Sequence, residues 1–298
     1  MLFPARTWLL AALAVPAAVS ASLATAASPT LDRIRDTGTV RLAYREDSIP
    51  FSYVDNNRPV GYTIDICSRL VDSIKTALKR PDLKVQYVPV TAVTRMDVVA
   101  SGKADLECGS TNNSPERRQK VAFTVPHYIT KGRMLVKASS SIQQWEDLNG
   151  KTVVATRGST NAELARKLNE TGMTMNVVDA NDLRSAFAML ADGRANAFAG
   201  DDILLSGMRA TSKNPADYRV AGKTQLVSSY AIMLSKQDPE FKKLIDQSMT
   251  RLIVDGEVPK LYKKWFQQPI PPNGVNLEVP MSYLLRDSFN TPTDSAGN

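Results

Sequence analysis

The 298 residues are 43% hydrophobic and 22% charged, with 15 glycines, 17 prolines and a formal net charge of +7 at pH 7. This composition is typical of a globular protein and excludes a collagen-like, coiled-coil or disordered chain. The moderate positive charge favours acidic small molecules or surfaces as partners, and the lack of a basic block interleaved with aromatic residues argues against nucleic acid. The length predicts two compact units.

The N-terminal segment is typical of a secretory signal peptide. Residues 1–26 contain one arginine (Arg6), no acidic residue, an apolar run over 8–19 and a final Ala-Thr-Ala sequence. The apolar run is too short for a membrane span of about 20 residues. We expect cleavage after Ala26, with Ala21 as the alternative site, and export to the periplasm without a lipid anchor.

Strands and helices alternate along the rest of the chain, which favours α/β units with largely parallel sheets. The pattern beyond about residue 275 predicts a peripheral tail. The predicted strands cover 39–44, 83–90, 104–108, 134–137, 151–156, 175–179 and 195–199. The predicted helices begin at residue 31, cover 64–78, 95–101, 142–148, 160–168, 182–190 and 240–254, and include a last one that ends at residue 266.

Each half of the chain contains a strand that leads into a Gly-Ser-Thr turn, at 108–111 and at 157–160. A helix that begins at such a turn presents unpaired backbone N–H groups and a partial positive charge to an anion. One such turn is common in proteins, because Ser and Thr cap many helices. Two turns in matching places indicate two lobes that face a shared ligand.

The chain has two cysteines, Cys67 and Cys108, and one histidine, His127. An even number of cysteines permits one disulfide in an oxidising compartment, and two separate buried thiols are the alternative. The cysteine spacing and the single histidine argue against a zinc site and against a Ser-His-Asp triad. Nucleophile-elbow, Walker and dinucleotide-binding motifs are absent from the sequence. We therefore predict no metal, no cofactor and no catalytic residue.

Six short segments occur in an order that is informative as a set. They lie at 60–65 (VGYTID), 102–111 (GKADLECGST), 116–124, 158–160, 193–201 (GRANAFAGD) and 255–266. In this order they resemble the polar amino-acid periplasmic binding proteins, which form family 3 of the extracellular solute-binding proteins and serve ABC importers. The resemblance covers residues 31–272, and the segments at 44–53, 107–110 and 265–272 are most similar to the glutamate/aspartate-binding branch.

The resemblance implies a two-lobed α/β fold, the type II periplasmic-binding-protein fold. In this fold each lobe is a mostly parallel sheet flanked by helices, and two crossovers join the lobes in a hinge. The first lobe would comprise residues 28–130 and 229–298, including the C-terminal tail, and the second lobe would comprise 131–228.

The resemblance also implies which residues hold the backbone of an amino-acid ligand. Arg117 would grip the α-carboxylate, because a guanidinium binds a carboxylate in a bidentate fork; without the resemblance it would be a surface charge. Asp201 would take the α-ammonium, with Asp202 as the alternative. Further contacts to the carboxylate would come from Ser110, Thr111, Ser159 and Thr160.

Two more arginines, Arg45 and Arg95, would face the ligand side chain. A neutral side chain would leave these buried cations unpaired, which is costly, so their presence argues for an acidic ligand. The alternative for each arginine is an exposed ion pair, Arg45 with Glu46 and Arg95 with Asp97.

Three positions depart from the glutamate/aspartate branch. Ala92 stands where the branch has a serine, Asn112 where it has a threonine, and Leu183 where it has a histidine. The neighbouring Arg184 is a candidate substitute for that histidine. These departures leave an amide or a larger dicarboxylate as alternative ligands.

The function that follows is that of a monomeric periplasmic binding protein, without enzymatic activity, which passes glutamate or aspartate to an inner-membrane ABC permease. The alternative is a dehydratase of the cyclohexadienyl or arogenate type on the same scaffold. Such an enzyme needs a carboxyl group as general acid, a role open to Asp201 or Asp202. A third hypothesis is a sensor that reports its ligand to a receptor.

Overall fold

The computed structural model describes residues 27–294 and contains two five-stranded sheets flanked by helices. The predicted signal peptide over 1–26, with its alternative cleavage sites, lies outside the described residues. Among residues 27–294, no helix combines the length and the apolar character that crossing a membrane requires.

The first stretch of chain forms four of the five strands of the first sheet. β1 pairs in parallel with β5 on one side and with β6 on the other, and β2, β3 and β4 form a separate antiparallel sheet. The elements are α1 (Pro29–Thr37), β1 (Thr39–Tyr44), β2 (Asp47–Ser48), β3 (Ser52–Asp55), β4 (Arg58–Val60), α2 (Tyr62–Leu78), β5 (Lys84–Pro89), α3 (Arg95–Ala100), β6 (Leu106–Glu107), α4 (Pro115–Arg118) and β7 (Ala122–Phe123).

Helix α2 has the apolar periodicity that the sequence predicts. Ile66, Leu70 and Ile74 recur at a spacing of four residues and are fully buried. On the same helix, Cys67 is joined to Cys108 by a disulfide with a Cα–Cα distance of 6.2 Å. Because Cys108 directly follows β6, the disulfide ties the turn at 108–111 to α2.

The chain then forms the whole of the second sheet. β9 is parallel to β10 and β11, whereas β8 is antiparallel to both β11 and β12. The elements are β8 (Tyr128–Lys137), a 3-10 helix (Trp145–Leu148), β9 (Thr152–Thr156), α5 (Thr160–Glu170), β10 (Asn176–Ala180), α6 (Leu183–Ala191), β11 (Ala197–Asp201), α7 (Asp202–Ala210), a 3-10 helix (Pro215–Asp217) and β12 (Tyr218–Tyr230).

From β12 the chain returns to the first sheet, where β13 (Met233–Leu234) lies antiparallel between β6 and β7. Three helices follow: α8 (Pro239–Val254), α9 (Glu257–Phe266) and α10 (Tyr283–Asn290). The expectation of a merely peripheral tail is wrong for α10, because its Leu285 and Phe289 are buried in the apolar core.

The structure confirms two α/β lobes, one around each sheet, and each sheet is mixed, with one strand that runs against the other four. In each of the orders β5-β1-β6-β13-β7 and β10-β9-β11-β8-β12, four strands run in one direction and one, β13 or β8, runs antiparallel to its two neighbours. The antiparallel strands lie next to the passages between the sheets. A chain that returns from the other lobe enters the sheet from the opposite end, and therefore runs antiparallel to the strands already there.

Candidate ligand-binding site

A cavity between the two sheets is lined by residues of both lobes. It measures about 410 Å³ when the open space at its mouth is included. Six residues of the predicted site line it, whereas Thr111 and Arg117 do not. The six are Arg45, Arg95, Ser110, Ser159, Thr160 and Asp201.

On the first-lobe wall, Arg95 is a buried cation without a counter-ion. It is 4% exposed, and among residues 27–294 its guanidinium has no hydrogen-bond partner and no carboxylate within 4.0 Å. Burial lowers its pKa to about 9, with the charge of Arg117 as the next cause, so Arg95 remains a cation at neutral pH. The alternative pair with Asp97 is not formed, because Asp97 pairs with Lys120.

Arg45 lies on the same wall and does have a counter-ion. Its Nη2 atom is 3.3 Å from Oδ1 of Asp47, and both residues are buried. The alternative pair with Glu46 is not formed, since Glu46 is exposed and its backbone carbonyl accepts a hydrogen bond from Arg184. Arg184 is thus directed to Glu46 and is not on the cavity wall, whereas Leu183 is.

Arg117 lies directly behind the cavity. Its guanidinium donates to the carbonyl oxygens of Asn112, at 3.1 Å, and of Gly158, at 3.2 Å, and burial lowers its pKa. Thr111 is also behind the wall, where its hydroxyl donates to Oε2 of the fully buried Glu107 at 2.7 Å. In the turn at 108–111, Ser110 therefore lines the cavity, whereas Thr111 bonds to Glu107 within the first lobe.

The second-lobe wall begins with the N-terminus of α5. Ser159 caps this helix, since its Oγ accepts the N–H of Ala162 at 3.1 Å. Within the described part of the chain, the N–H groups of Thr160 and Asn161 have no acceptor, and both residues line the cavity. Unpaired N–H groups at a helix start form a site for an anion.

Asp201, at the end of β11, provides a carboxylate on the second-lobe wall. It accepts hydrogen bonds from Nδ2 of Asn161 at 2.9 Å, from the hydroxyl of Tyr230 and, at 3.5 Å, from Nδ2 of Asn112 on the first lobe. Burial raises the pKa of Asp201, while the hydrogen bonds from Tyr230 and Asn161 oppose that shift. The alternative residue, Asp202, is not on the wall, because its carboxylate accepts from Thr130 and from the start of α7.

The two lobes touch at the cavity. Nδ2 of Asn112 donates to Oγ1 of Thr160 at 2.6 Å, and the Arg117–Gly158 bond also joins the first lobe to the second. On the other side, the backbone N–H of Leu183 donates to Oδ2 of Asp47 at 2.7 Å. The lobes are therefore closed around the cavity from two sides.

Residues 40–268 match the family described as bacterial extracellular solute-binding proteins, family 3. The chain belongs to this family. It is 43% identical over 270 residues to an L-glutamate/L-aspartate-binding protein of Pseudomonas aeruginosa, which covers 90% of this chain and 89% of that protein. It is 39% identical over 297 residues to a glutamate/aspartate import solute-binding protein of Escherichia coli, which covers 99% of this chain and 98% of that protein.

Solved structures show the same architecture. An ancestral amino-acid-binding protein, described as a precursor of cyclohexadienyl dehydratase, is 27% identical with a TM-score of 0.69. The match covers 80% of this chain and 99% of that one.

Within this family 3 solute-binding protein, three residues of the site had no role in the sequence prediction. Asn161 holds Asp201, and its position directly after Thr160 at a predicted helix start was the available signal. Asp47 forms an ion pair with Arg45, which precedes it by two residues in the chain. Tyr230 reaches Asp201 from the end of β12, and no local sequence pattern indicates this contact.

Proposed function

We propose that this chain binds an acidic L-amino acid, glutamate or aspartate, between its lobes and delivers it chemically unchanged to an inner-membrane ABC permease. The observation that carries the proposal is Arg95, a buried cation on the cavity wall without a counter-ion. A buried charge that lacks a partner is costly, and a carboxylate on the ligand side chain removes that cost. The names of the relatives from Pseudomonas aeruginosa and Escherichia coli support the same ligand class.

We assign the ends of the amino acid to opposite walls. The α-carboxylate meets the free N–H groups of α5 and the hydroxyl of Ser110, with the guanidinium of Arg117 close behind. The α-ammonium meets Asp201, whose carboxylate accepts from Tyr230, Asn161 and Asn112 and retains one lone pair for a further donor. Thr111 then acts by holding the turn that carries Ser110.

The binding cycle that we propose is a closure of two lobes, with residues 28–130 and 229–298 in one and 131–228 in the other. The permease recognises the closed form, and the protein works as a monomer in the periplasm after removal of its signal peptide. We infer no enzymatic step, since binding and release suffice for this role.

A ligand screen on the purified, ligand-stripped protein tests the proposal. We expect glutamate or aspartate to raise the thermal stability, because a ligand at 100 times its Kd adds about 2.7 kcal/mol. Glutamine, asparagine, arginine and prephenate should stabilise it less. Stabilisation by prephenate with turnover would instead establish the dehydratase, and a lack of response to glutamate and aspartate would overturn the proposal.

Arg95→Gln tests the observation itself. We expect the affinity for glutamate to fall by about 30-fold or more, and the affinity for glutamine to fall less, because only glutamate loses a charged contact. Isothermal calorimetry measures both. The matched control is Arg194→Gln, which removes an arginine that is 59% exposed and pairs with Asp192. An equal loss for both ligands would show that Arg95 does not read the side chain.

A further inference from the structure

Asp47 lies directly behind the cavity wall and connects two residues of that wall. It is 5% exposed; its Oδ1 is 3.3 Å from Nη2 of Arg45, and its Oδ2 accepts the N–H of Leu183 at 2.7 Å. Arg45 belongs to the first lobe and Leu183 to the second, and both line the cavity. One buried carboxylate therefore holds a cation on its own lobe and touches the opposite lobe.

The contact with Leu183 gives Asp47 a fixed position. Leu183 is the first residue of the nine-residue helix α6, whose own cap, Asp182, accepts the N–H of Ser185. An additional carboxylate at this helix start is favoured by the unpaired N–H and by the helix dipole. The adjoining loop also packs on the second lobe, because a Cβ atom on Gly207 would lie 2.5 Å from the carbonyl oxygen of Ile49.

The two arginines of the first-lobe wall are therefore unequal. Arg45 has a buried counter-ion, so most of its charge is balanced before any ligand binds. Arg95 has no carboxylate within 4.0 Å among the described residues, and Glu107 acts on its charge only from a greater distance. A ligand side chain that reaches both guanidiniums therefore meets a net charge closer to +1 than to +2. The carboxylate of Asp47 also lies nearby and repels a carboxylate on the ligand side chain.

We propose that Asp47 is a positioning residue that sets the charge presented to the ligand side chain, and so limits the preference for a carboxylate over an amide. This inference rests on the proposed function, an amino acid with an acidic side chain as ligand. Asp47 acts through Arg45, which it orients and neutralises, and leaves Arg95 as the cation that distinguishes glutamate from glutamine.

Asp47→Asn separates charge from shape, because the amide oxygen still accepts the N–H of Leu183. We expect the selectivity ratio, Kd for glutamine divided by Kd for glutamate, to rise at least about tenfold by calorimetry. The matched control is Glu46→Gln, which removes the same charge one residue away from an exposed side chain. We expect the control to keep the ratio within about twofold.

A second variant tests the inference from the other side. Arg45→Gln should lower the selectivity ratio less than Arg95→Gln does, since the charge of Arg45 is already balanced. An unchanged or lower ratio in Asp47→Asn, or an equal effect of the two arginine variants, would overturn the inference while the wild type still binds glutamate. A wild type that binds neither ligand would overturn the proposed function together with it.

Discussion

The two walls of the cavity differ in the kind of charge that they present. The first lobe supplies guanidinium groups, with Arg45 and Arg95 on the wall and Arg117 behind it. The second lobe supplies the backbone N–H groups of α5 and the carboxylate of Asp201. Within residues 27–294, neither lobe by itself carries all the groups that would bind the two carboxylates and the ammonium of an acidic amino acid. In the proposed function, recognition of the ligand and closure of the lobes therefore depend on the same contacts.

The largest change should come from Arg117→Ala, which removes a first-lobe cation near the end that all amino acids share. We expect affinities for glutamate and glutamine to fall together by about 1000-fold, because truncating a buried charged partner leaves the other charge unpaired. Calorimetry on the folded variant measures this. Arg118→Ala is the control, since Arg118 donates to Asn113 instead. Tight binding in Arg117→Ala would remove this residue from the site.

Asp201→Asn tests the opposite wall. The amide can still bond to Tyr230 and Asn161 but lacks the charge that meets an ammonium, so we expect about a 100-fold loss for every amino acid tested. Glutarate, which has both carboxylates but no ammonium, should not bind more weakly to the variant. If glutarate and glutamate lose affinity equally, Asp201 acts on the shape of the wall and not on the ammonium.

His127 lies in the passage between the lobes and outside both walls, so it should alter stability without altering ligand preference. Its ring is fully buried with neither nitrogen bonded, and burial lowers its pKa from 6.5 to about 3. The unfolded chain binds this proton below pH 6.5 and the folded chain does not, so stability falls as the pH drops from 6.5 towards 3.

We expect this loss to reach about 1.6 kcal/mol between pH 6.5 and pH 5, and to be absent in His127→Phe. Denaturant unfolding at several pH values measures it. A variant that retains the full pH slope would assign the slope to other groups. Unchanged glutamate affinity at pH 7 serves as the control for the site.

The smallest effect should come from Asn112→Ala, which removes the hydrogen bonds of one side chain to Thr160, at 2.6 Å, and to Asp201, at 3.5 Å, on the opposite wall. The lost bond from Nδ2 of Asn112 to Thr160 should weaken glutamate binding about fivefold, mainly through faster dissociation. Stopped-flow fluorescence with glutamate separates the two rate constants. Asn113→Ala is the neighbouring control, because the Asn113 carboxamide accepts from Arg118 on the same lobe. A change in the association rate alone would contradict a closing contact.

Local periodicity predicts many of the elements but misses α7 (Asp202–Ala210) and the long strand β12 (Tyr218–Tyr230). The predicted strand over 39–44 coincides with β1, and the predicted helix starts at 95 and 160 coincide with those of α3 and α5. The signal of each of these elements lies within one short stretch of sequence, and α5 also has a serine cap at Ser159. The strands β7 and β13, of two residues each, are too short to show a period.

The site was predicted less completely, because its contacts join residues far apart in the chain. The resemblance named Arg45 and Arg95, but which of them has a counter-ion depends on Asp47, and Asp47 is itself held by Leu183, 136 residues further along. No local pattern encodes such a pair. The contact between Tyr230 and Asp201 could not be predicted for the same reason, although Tyr230 ends β12 and Asp201 ends β11.

The chain passes between the lobes in two strands, β8 and β12, that are hydrogen-bonded to each other from Tyr128 opposite Tyr230 onward. Two strands paired in this way form a ribbon, which bends across its flat face but resists sliding, because sliding would break the register of every pair. Any movement of one lobe against the other must deform this ribbon. In the proposed closure of the lobes, this ribbon therefore restricts the movement to bending, which brings Asn112 to the same place opposite Thr160.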